Sequence, residues 1–274
     1  MITGKAANRS KMTEASPTQS PFAVAAALRP ESGMRTTSPA EVDGILSAHR
    51  LYLETDRKQG ARADLSSVDL TGMSFVGFNL RRVLFAHARL LGADLSRAEM
   101  TRANLIGANL NGAFLCRANL TNARLSGANL SAASLEDACL EGANLEFALL
   151  PGAVLTGACL RDADLSGAIL AGASLVGADL RTVNFRGADL TGARLDGADL
   201  RRARLGGAFL VNAMLKSADL RWAYLRVARF EGADLSGADL RDVEALTEEQ
   251  LDAAVLNEDT KLSVGFRKGM RNGV

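Results

Sequence analysis

Gly167-Ala168-Ile169-Leu170-Ala171-Gly172-Ala173-Ser174-Leu175 is the stretch that decides the fold of this chain. Its unit is Ala, a variable residue, Leu, a variable residue and often Gly. Outward from it the register runs unbroken from Ala63 to Val243. Every fifth residue from Leu65 to Leu240 is Leu, apart from Phe75, Phe85, Phe185, Phe230 and Met100. Two residues before each stands a small or apolar side chain, nearly always Ala. A helix repeats its apolar positions every ~3.6 residues and a strand every two, so a period of five fits neither. On one long helix, successive Leu residues would sit about 140° apart and make no core. Each recurring Gly would cost that helix about 1 kcal/mol. A short internal period instead marks a repeat architecture, whose neighbouring units bury one another's apolar surface.

The unit explains itself if each pentapeptide forms one short side of a coiled tube. Leu and the Ala two before it share the inward face of an extended segment, and the residue between them points out. Gly then suits the unusual dihedrals of a corner. A narrow tube has no room for two large side chains per side, hence Ala. Ala178-Asp179-Leu180, Ala188-Asp189-Leu190, Ala198-Asp199-Leu200 and Ala238-Asp239-Leu240 match the A(D/N)LXX pattern of the pentapeptide-repeat proteins. The chain resembles that family over about two thirds of its length. The resemblance implies an all-β solenoid: a right-handed quadrilateral β-helix, four pentapeptides per coil, with residues twenty apart stacked in columns. The repeat would then make about nine coils and, at the ~4.8 Å spacing of paired strands, a rod of roughly 43 Å. Val68, Met73, Phe78 and Val83 replace the early Ala residues, which predicts a wider or distorted first coil.

Around the repeat, 61–244, the rest of the chain divides simply. Residues 1–37, rich in Ser, Thr, Ala, Pro and Met, read as a disordered segment. Phe22 to Leu28 is short for a signal peptide, and Arg29-Pro30 is a poor cleavage context. Residues 38–60 read as an N-terminal capping helix. Ser38-Pro39-Ala40-Glu41 is a capping box with Pro at the first helical position. Val42, Ile45, Leu46, His49, Tyr52 and Leu53 follow at helical spacing, predicting a helix over about 39–57 with His49 packed on its apolar face. Residues 245–274 read as a C-terminal capping helix and a basic tail. Thr247 and Gln250 make a second capping box, with Leu246 and Leu251 placed as a hydrophobic staple. Leu251, Ala254 and Val255 are expected to cover the last coil.

Net charge is +1, so no bulk polarity steers the chain to nucleic acid or acidic membrane. No apolar run is long enough to span a bilayer, and a cytoplasmic location is expected. The three cysteines, Cys116, Cys139 and Cys159, form no CxxC or Cys/His cluster, so no metal site is expected. Cys139 and Cys159 stack twenty apart, at a separation of ~4.8 Å that lies within disulfide range. In a cytosolic protein they read as free thiols. Ser and Asp fill generic outward positions, and with two His in the chain no nucleophile-base-acid set emerges. His87, at a corner, reads as exposed. The expectation is a protein that is not an enzyme and takes no cofactor.

The outer columns remain. Arg161, Arg181, Arg201, Arg221 and Arg241 stack one place after Leu, and Asp179, Asp199, Asp219 and Asp239 one place before it. Either this is a solvated face whose charges neutralise each other, at about 0–1 kcal/mol per pair, or it docks an extended or charged partner. Leu149, Ile169 and Phe209 share a second outward column, and Phe114, Val154 and Met214 lie on the adjacent face. Exposed apolar groups of this kind mark contact surfaces or are scattered surface residues. Trp222 and Tyr224 add aromatic character. The reading is a protein–protein interaction scaffold of unknown partner, with a homodimer expected through the C-terminal end at Leu251 and Val255. The alternative implied by the resemblance is a DNA-mimicking modulator of a type II topoisomerase such as DNA gyrase. Balanced charge in the repeat, and the absence of projecting loops, count against that role. Nucleic acid is not expected as a partner, since Asp stands beside four of the ladder arginines.

Overall fold

The computed structural model describes residues 34–266. Most of the segment read as disordered, and the basic tail from Arg267, lie outside the described residues. Within the repeat the backbone accounts for itself side by side. At each corner the Ala N–H donates to the preceding Leu carbonyl, as in Ala93 to Leu90 at 3.1 Å. The second corner residue is left-handed, Gly167 at φ 65° and Gly172 at 66°. This is the type II turn, which asks for positive φ there. Yet Thr182 and Val227, both β-branched, hold φ 60° and 52° at equivalent corners. Such strain costs of order 1 kcal/mol or more per residue and persists only where the surroundings over-determine it.

The remaining N–H groups bind the neighbouring coils. Leu90 donates to Asn109 at 2.7 Å, Gly92 to Asn111 at 3.0 Å and Asn109 back to Ala88 at 2.9 Å. The N–H just after Leu is taken by the outward Asp or Asn, as in Ser96 to Asp94 Oδ1 at 3.0 Å. That bond explains why the outward position favours Asp and Asn: a short acceptor satisfies a corner donor that no coil reaches. Where Leu149 stands instead, the corner residue is Pro151, which has no N–H to satisfy.

Parallel pairing links residues twenty apart on four faces. The first face carries Asp64, Leu84, Asn104, Arg124, Asn144, Asp164, Asn184, Arg204, Tyr224 and Glu244. The second runs from Asp69 and Arg89 through Leu149 and Ile169 to Phe209 and Arg229. The third runs from Ser74 and Asp94 through Phe114 to Met214 and Asp234. The fourth runs from Asn79 and Glu99 through Cys139 and Cys159 to Asp239. The inward Leu and Ala residues form one continuous buried core. Val68, Met73 and Val83 are buried in the first coil, and Phe75 meets Phe85 edge-on at 5.9 Å. The larger residues change the packing there, while the twenty-residue register already holds at Asp64 and Leu84.

Helix α1 (Pro39–Glu54) starts at its capping box, with the Ser38 N–H donating to Glu41 at 2.7 Å. It stops short of residue 57 because Asp56 and Arg57 are left-handed, at φ 50° and 72°. Val42 and Leu46 join the tube core, and Ile45 packs against it. His49 is buried, and its Nδ1 accepts the Ala63 N–H at 3.1 Å, the corner donor that in later units bonds the preceding Leu carbonyl.

At the other end the chain does more than add a helix. Strand β1 (Asp239–Leu240) is followed by α2 (Glu248–Asp252) and then by β2 (Lys261–Leu262), which pairs with β1 in parallel. Between them Val255 pairs with Asp234, so it extends the third face and is 52% exposed. Val255 therefore does not cover the last coil, correcting the helical-spacing expectation; Leu251, 8% exposed, does. Gln250 Nε2 donates to the Leu225 and Ala228 carbonyls, and Thr260 Oγ1 to the Leu235 carbonyl. The Ala228 carbonyl is a strand-edge acceptor that would otherwise invite pairing with another chain, while the Leu225 and Leu235 carbonyls already accept the corner bonds from Ala228 and Ala238.

Candidate interaction surface

The fourth face brings the Arg and Asp columns together as a zipper. Arg181 grips Asp179 on its own side through Nε to Oδ1 at 2.7 Å and Nη2 to Oδ2 at 2.6 Å. Arg201 holds Asp199, Arg221 holds Asp219 and Arg241 holds Asp239 by the same fork. Each of the first three also approaches the Asp of the next coil, at 3.7, 3.6 and 3.8 Å. Arg161, below them, pairs with Glu141. The hydrogen-bonded Arg181 and Arg241 hold the Asp179 and Asp239 carboxyls below the usual carboxylate range. For Asp219 burial is the largest single influence and pulls upward, and the Arg221 side-chain bond, backbone N–H and charge together still hold its carboxyl low. The ladder arginines are thus engaged along the face.

The apolar candidates are less connected. Leu149 and Ile169 are direct neighbours on the second face, but Asp189 separates them from Phe209. Phe209 is covered in part by the Arg229 guanidinium, 5.5 Å from its ring. Met214 lies on the third face with Arg194 and Asp234 on either side. Of the two end residues, Leu251 is buried and unavailable to a second chain, while Val255 is exposed on a face.

Trp222 and Tyr224 are where the structure adds most. Tyr224 pairs with Arg204 on the first face. Trp222 sits at the corner between the fourth and first faces, with Arg221 and Arg202 guanidinium groups at 5.2 and 5.8 Å from its ring. Around them Arg186, Arg202, Arg204 and Arg226 are all exposed. Among the described residues none of these four makes an ion pair, unlike the ladder arginines beside them. Sequence reading by columns missed them because they do not stack in one. The signal was the residue two places earlier. Asp179-Leu180-Arg181 pairs internally, whereas Asn184-Phe185-Arg186 and Tyr224-Leu225-Arg226 place no carboxylate two residues before the arginine, the nearest acidic group to act on Arg186 being Asp164 one coil below.

An open groove of about 970 Å³ lies beside α1, lined by Met34, Arg35, Glu41, Ile45, Ala48 and Arg62 among others. His87 is exposed at its corner. Metal-type donors do meet in one place among the described residues, where Cys139, Glu141 and Cys159 lie within 4.8 Å of one another. The expectation of no metal site rested on the lack of a CxxC or Cys/His cluster along the chain, and this group comes together only by stacking. No helix among the described residues is long and apolar enough to cross a membrane.

A four-sided parallel tube with an all-apolar interior, and all its chemical variety on the outside, defines a class of solenoid. The chain belongs to the pentapeptide repeat family. The family described as pentapeptide repeats matches residues 63–102, 98–137, 138–161, 158–197, 193–232 and 212–242. The fold is accordingly a right-handed quadrilateral β-helix. Among solved structures it is similar to HetL, a pentapeptide repeat protein involved in heterocyst differentiation regulation from the cyanobacterium Nostoc sp. strain PCC 7120. That likeness is 32% identity over 70% of this chain and 86% of that one, with a TM-score of 0.42. A pentapeptide repeat protein of the Arabidopsis thaliana thylakoid lumen is 34% identical over 40% of this chain and 72% of that one, with a TM-score of 0.25. QnrB1, a plasmid-mediated fluoroquinolone resistance protein, is 20% identical over 69% of this chain and 91% of that one, with a TM-score of 0.46. Among curated proteins none matches the chain.

Proposed function

We propose that the protein is a non-catalytic scaffold that docks an acidic segment of a partner protein on the C-terminal half of its first face. The observation that carries this is the contrast between Arg186, Arg202, Arg204 and Arg226, which have no ion pair among the described residues, and the neutralised ladder beside them. Guanidinium groups outside any ion pair, around the exposed Trp222 and the half-buried Tyr224, are the usual makings of a contact site. The scaffold is taken as about nine coils closed by a helix at each end, working in the cytoplasm with its thiols reduced. A protein fits better than nucleic acid. The patch spans only about two strand spacings, ~10 Å, and the Trp222 ring is already shared by two guanidinium groups, not open to a base. A DNA-like acidic face is not favoured either, because each Asp of the column is clasped by Arg. Self-association would use the exposed Val255 side of the third face, not the buried Leu251.

Fluorescence polarisation with a labelled Glu- and Asp-rich peptide tests the reading. Binding should weaken with salt. It should fall by about tenfold or more in Arg204→Glu with Arg226→Glu. Arg124→Glu, on the same face but four coils away, should leave it within about twofold. A duplex DNA that binds as tightly as the peptide, or a peptide that does not bind, overturns it.

A further inference from the structure

We propose that Cys139, Glu141 and Cys159 form a binding site for a thiophilic divalent cation, zinc in the first place. The two cysteines are paired across adjacent coils of the fourth face, and Glu141 follows Cys139 on the same side. Their sulfur and carboxylate atoms all lie within 4.8 Å of one another, each side chain half-buried. A tetrahedral zinc, at ~2.3 Å from sulfur and ~2.0–2.2 Å from oxygen, sets its donors about 3.5–3.8 Å apart. Small side-chain rotations close that difference, and the backbone beneath is fixed by the ladder, with Cys139 donating to Ala118 and Cys159 to Ala138 at 2.9 Å each.

The donor chemistry selects the ion. Two sulfur ligands favour a soft or borderline cation over magnesium or calcium, which take oxygen. The surroundings fit as well. Two thiolates, one carboxylate and a dication sum to one negative charge, and Arg161 already sits against Glu141 to balance it. Thr121 Oγ1 lies 3.2 Å from the Cys139 sulfur, placed to support that ligand from outside. The open side leaves the fourth position to water, which makes the site exchangeable. Cysteine ligates a metal as the thiolate, so binding releases protons and strengthens as pH rises. No linear motif announces the site, because its third donor arrives one coil later.

The test uses the full chain, reduced with a phosphine and stripped with a chelator, then titrated with cadmium and with zinc. Cadmium should give a thiolate charge-transfer band that saturates at one ion per chain. Zinc should displace it with one-to-one stoichiometry and raise the melting temperature. Cys139→Ser and Cys159→Ser should remove the band and weaken zinc by about 100-fold. Glu141→Gln should keep the band while weakening zinc by about tenfold. Cys116→Ser should behave as the parent, since its sulfur lies at another corner against Glu136. Serine is a safe replacement, as Ser134 and Ser174 hold outward positions of the same kind, and circular dichroism checks the fold. No band at stoichiometric cadmium, or a band that survives both substitutions or follows Cys116, overturns the proposal.

Discussion

Two adjoining faces of the tube carry arginines over the same coils and use them in opposite ways. On the fourth face Arg181, Arg201 and Arg221 are each clasped by the Asp two residues earlier. On the first face Arg186 and Arg226 occupy the same place in the side, but Asn184 and Tyr224 precede them. Backbone and register are shared, but the clasped arginines are half-buried and Arg186 and Arg226 are exposed, so the outward residue two places earlier decides whether an arginine is spent within the molecule or left for a partner. Column-by-column charge counting therefore misleads: the more conspicuous ladder is the less available one.

The largest way to break this comparison is to remove what both faces rest on. Leu165→Arg places a charge among stacked apolar side chains with nothing to pair it. It should abolish soluble expression, and a soluble variant with wild-type thermal stability would mean that Leu165 does not point inward. Next in size is writing the ladder onto the first face. Asn184→Asp with Tyr224→Asp should clasp Arg186 and Arg226 and cut acidic-peptide binding about tenfold, equivalent to 1.4 kcal/mol. Unfolding midpoints in urea should fall modestly, because Asn184 Nδ2 donates to Asp164 at 2.9 Å and a carboxylate there would repel it; unchanged peptide affinity would show that those arginines are not the contact. The reverse edit is smaller. Asp199→Asn with Asp219→Asn should release Arg201, leave Arg221 only its longer approach to Asp239 at 3.8 Å, raise peptide binding a few-fold at low salt and cost about 0–1 kcal/mol per pair.

The smallest effect is on pH. Asp179 and Asp239 have depressed pKa values in the fold, so the unfolded chain binds protons more readily in acid. Their contribution is complete above about pH 4, the unfolded carboxylate value, and is lost as pH falls through the lower folded values. Chemical denaturation between pH 6 and pH 2 should show a shallower acid limb in the Asp179→Asn, Asp239→Asn double variant. A limb as steep as that of the parent would place the acid sensitivity elsewhere. His49 works at a higher range. Burial lowers its pKa, so what it contributes is present above about pH 6.5 and fades below that value.

The inward half of the molecule was plain in the sequence because its cause is local and repeated. Leu165 and its equivalents are buried by the same five-residue spacing that displays them. The capping box of α1 was plain for the same reason: Ser38 and Glu41 satisfy each other within one turn. Legibility failed where pairing left the period. Val255 stands 21 residues from its partner Asp234, and Lys261 stands 22 from Asp239, so no repeat marked them as ladder residues. Val255 follows Leu251 at helical spacing, which predicts a place over the last coil, whereas α2 ends at Asp252 and Val255 continues the third face. The unpaired arginines were hidden differently, since availability depends on a side-chain bond that stacking alone does not reveal. Cys139, Glu141 and Cys159 become a group only once the coil length is applied to positions that look unrelated along the chain.

A tube wound in twenties also sets a rule for how such a gene can grow. Pairing at i and i+20 means that duplicating or deleting four units together leaves every later residue on its own face. Losing a single unit of five would keep Leu over Leu and leave the interior content. It would also rotate everything downstream by a quarter turn, carrying the Asp–Arg ladder of 179–241 onto a different side of the rod. Inheritance in this protein thus has two reading frames, one of five for survival and one of twenty for meaning. A change that respects the first and violates the second yields a chain that folds normally and offers its partners a scrambled surface.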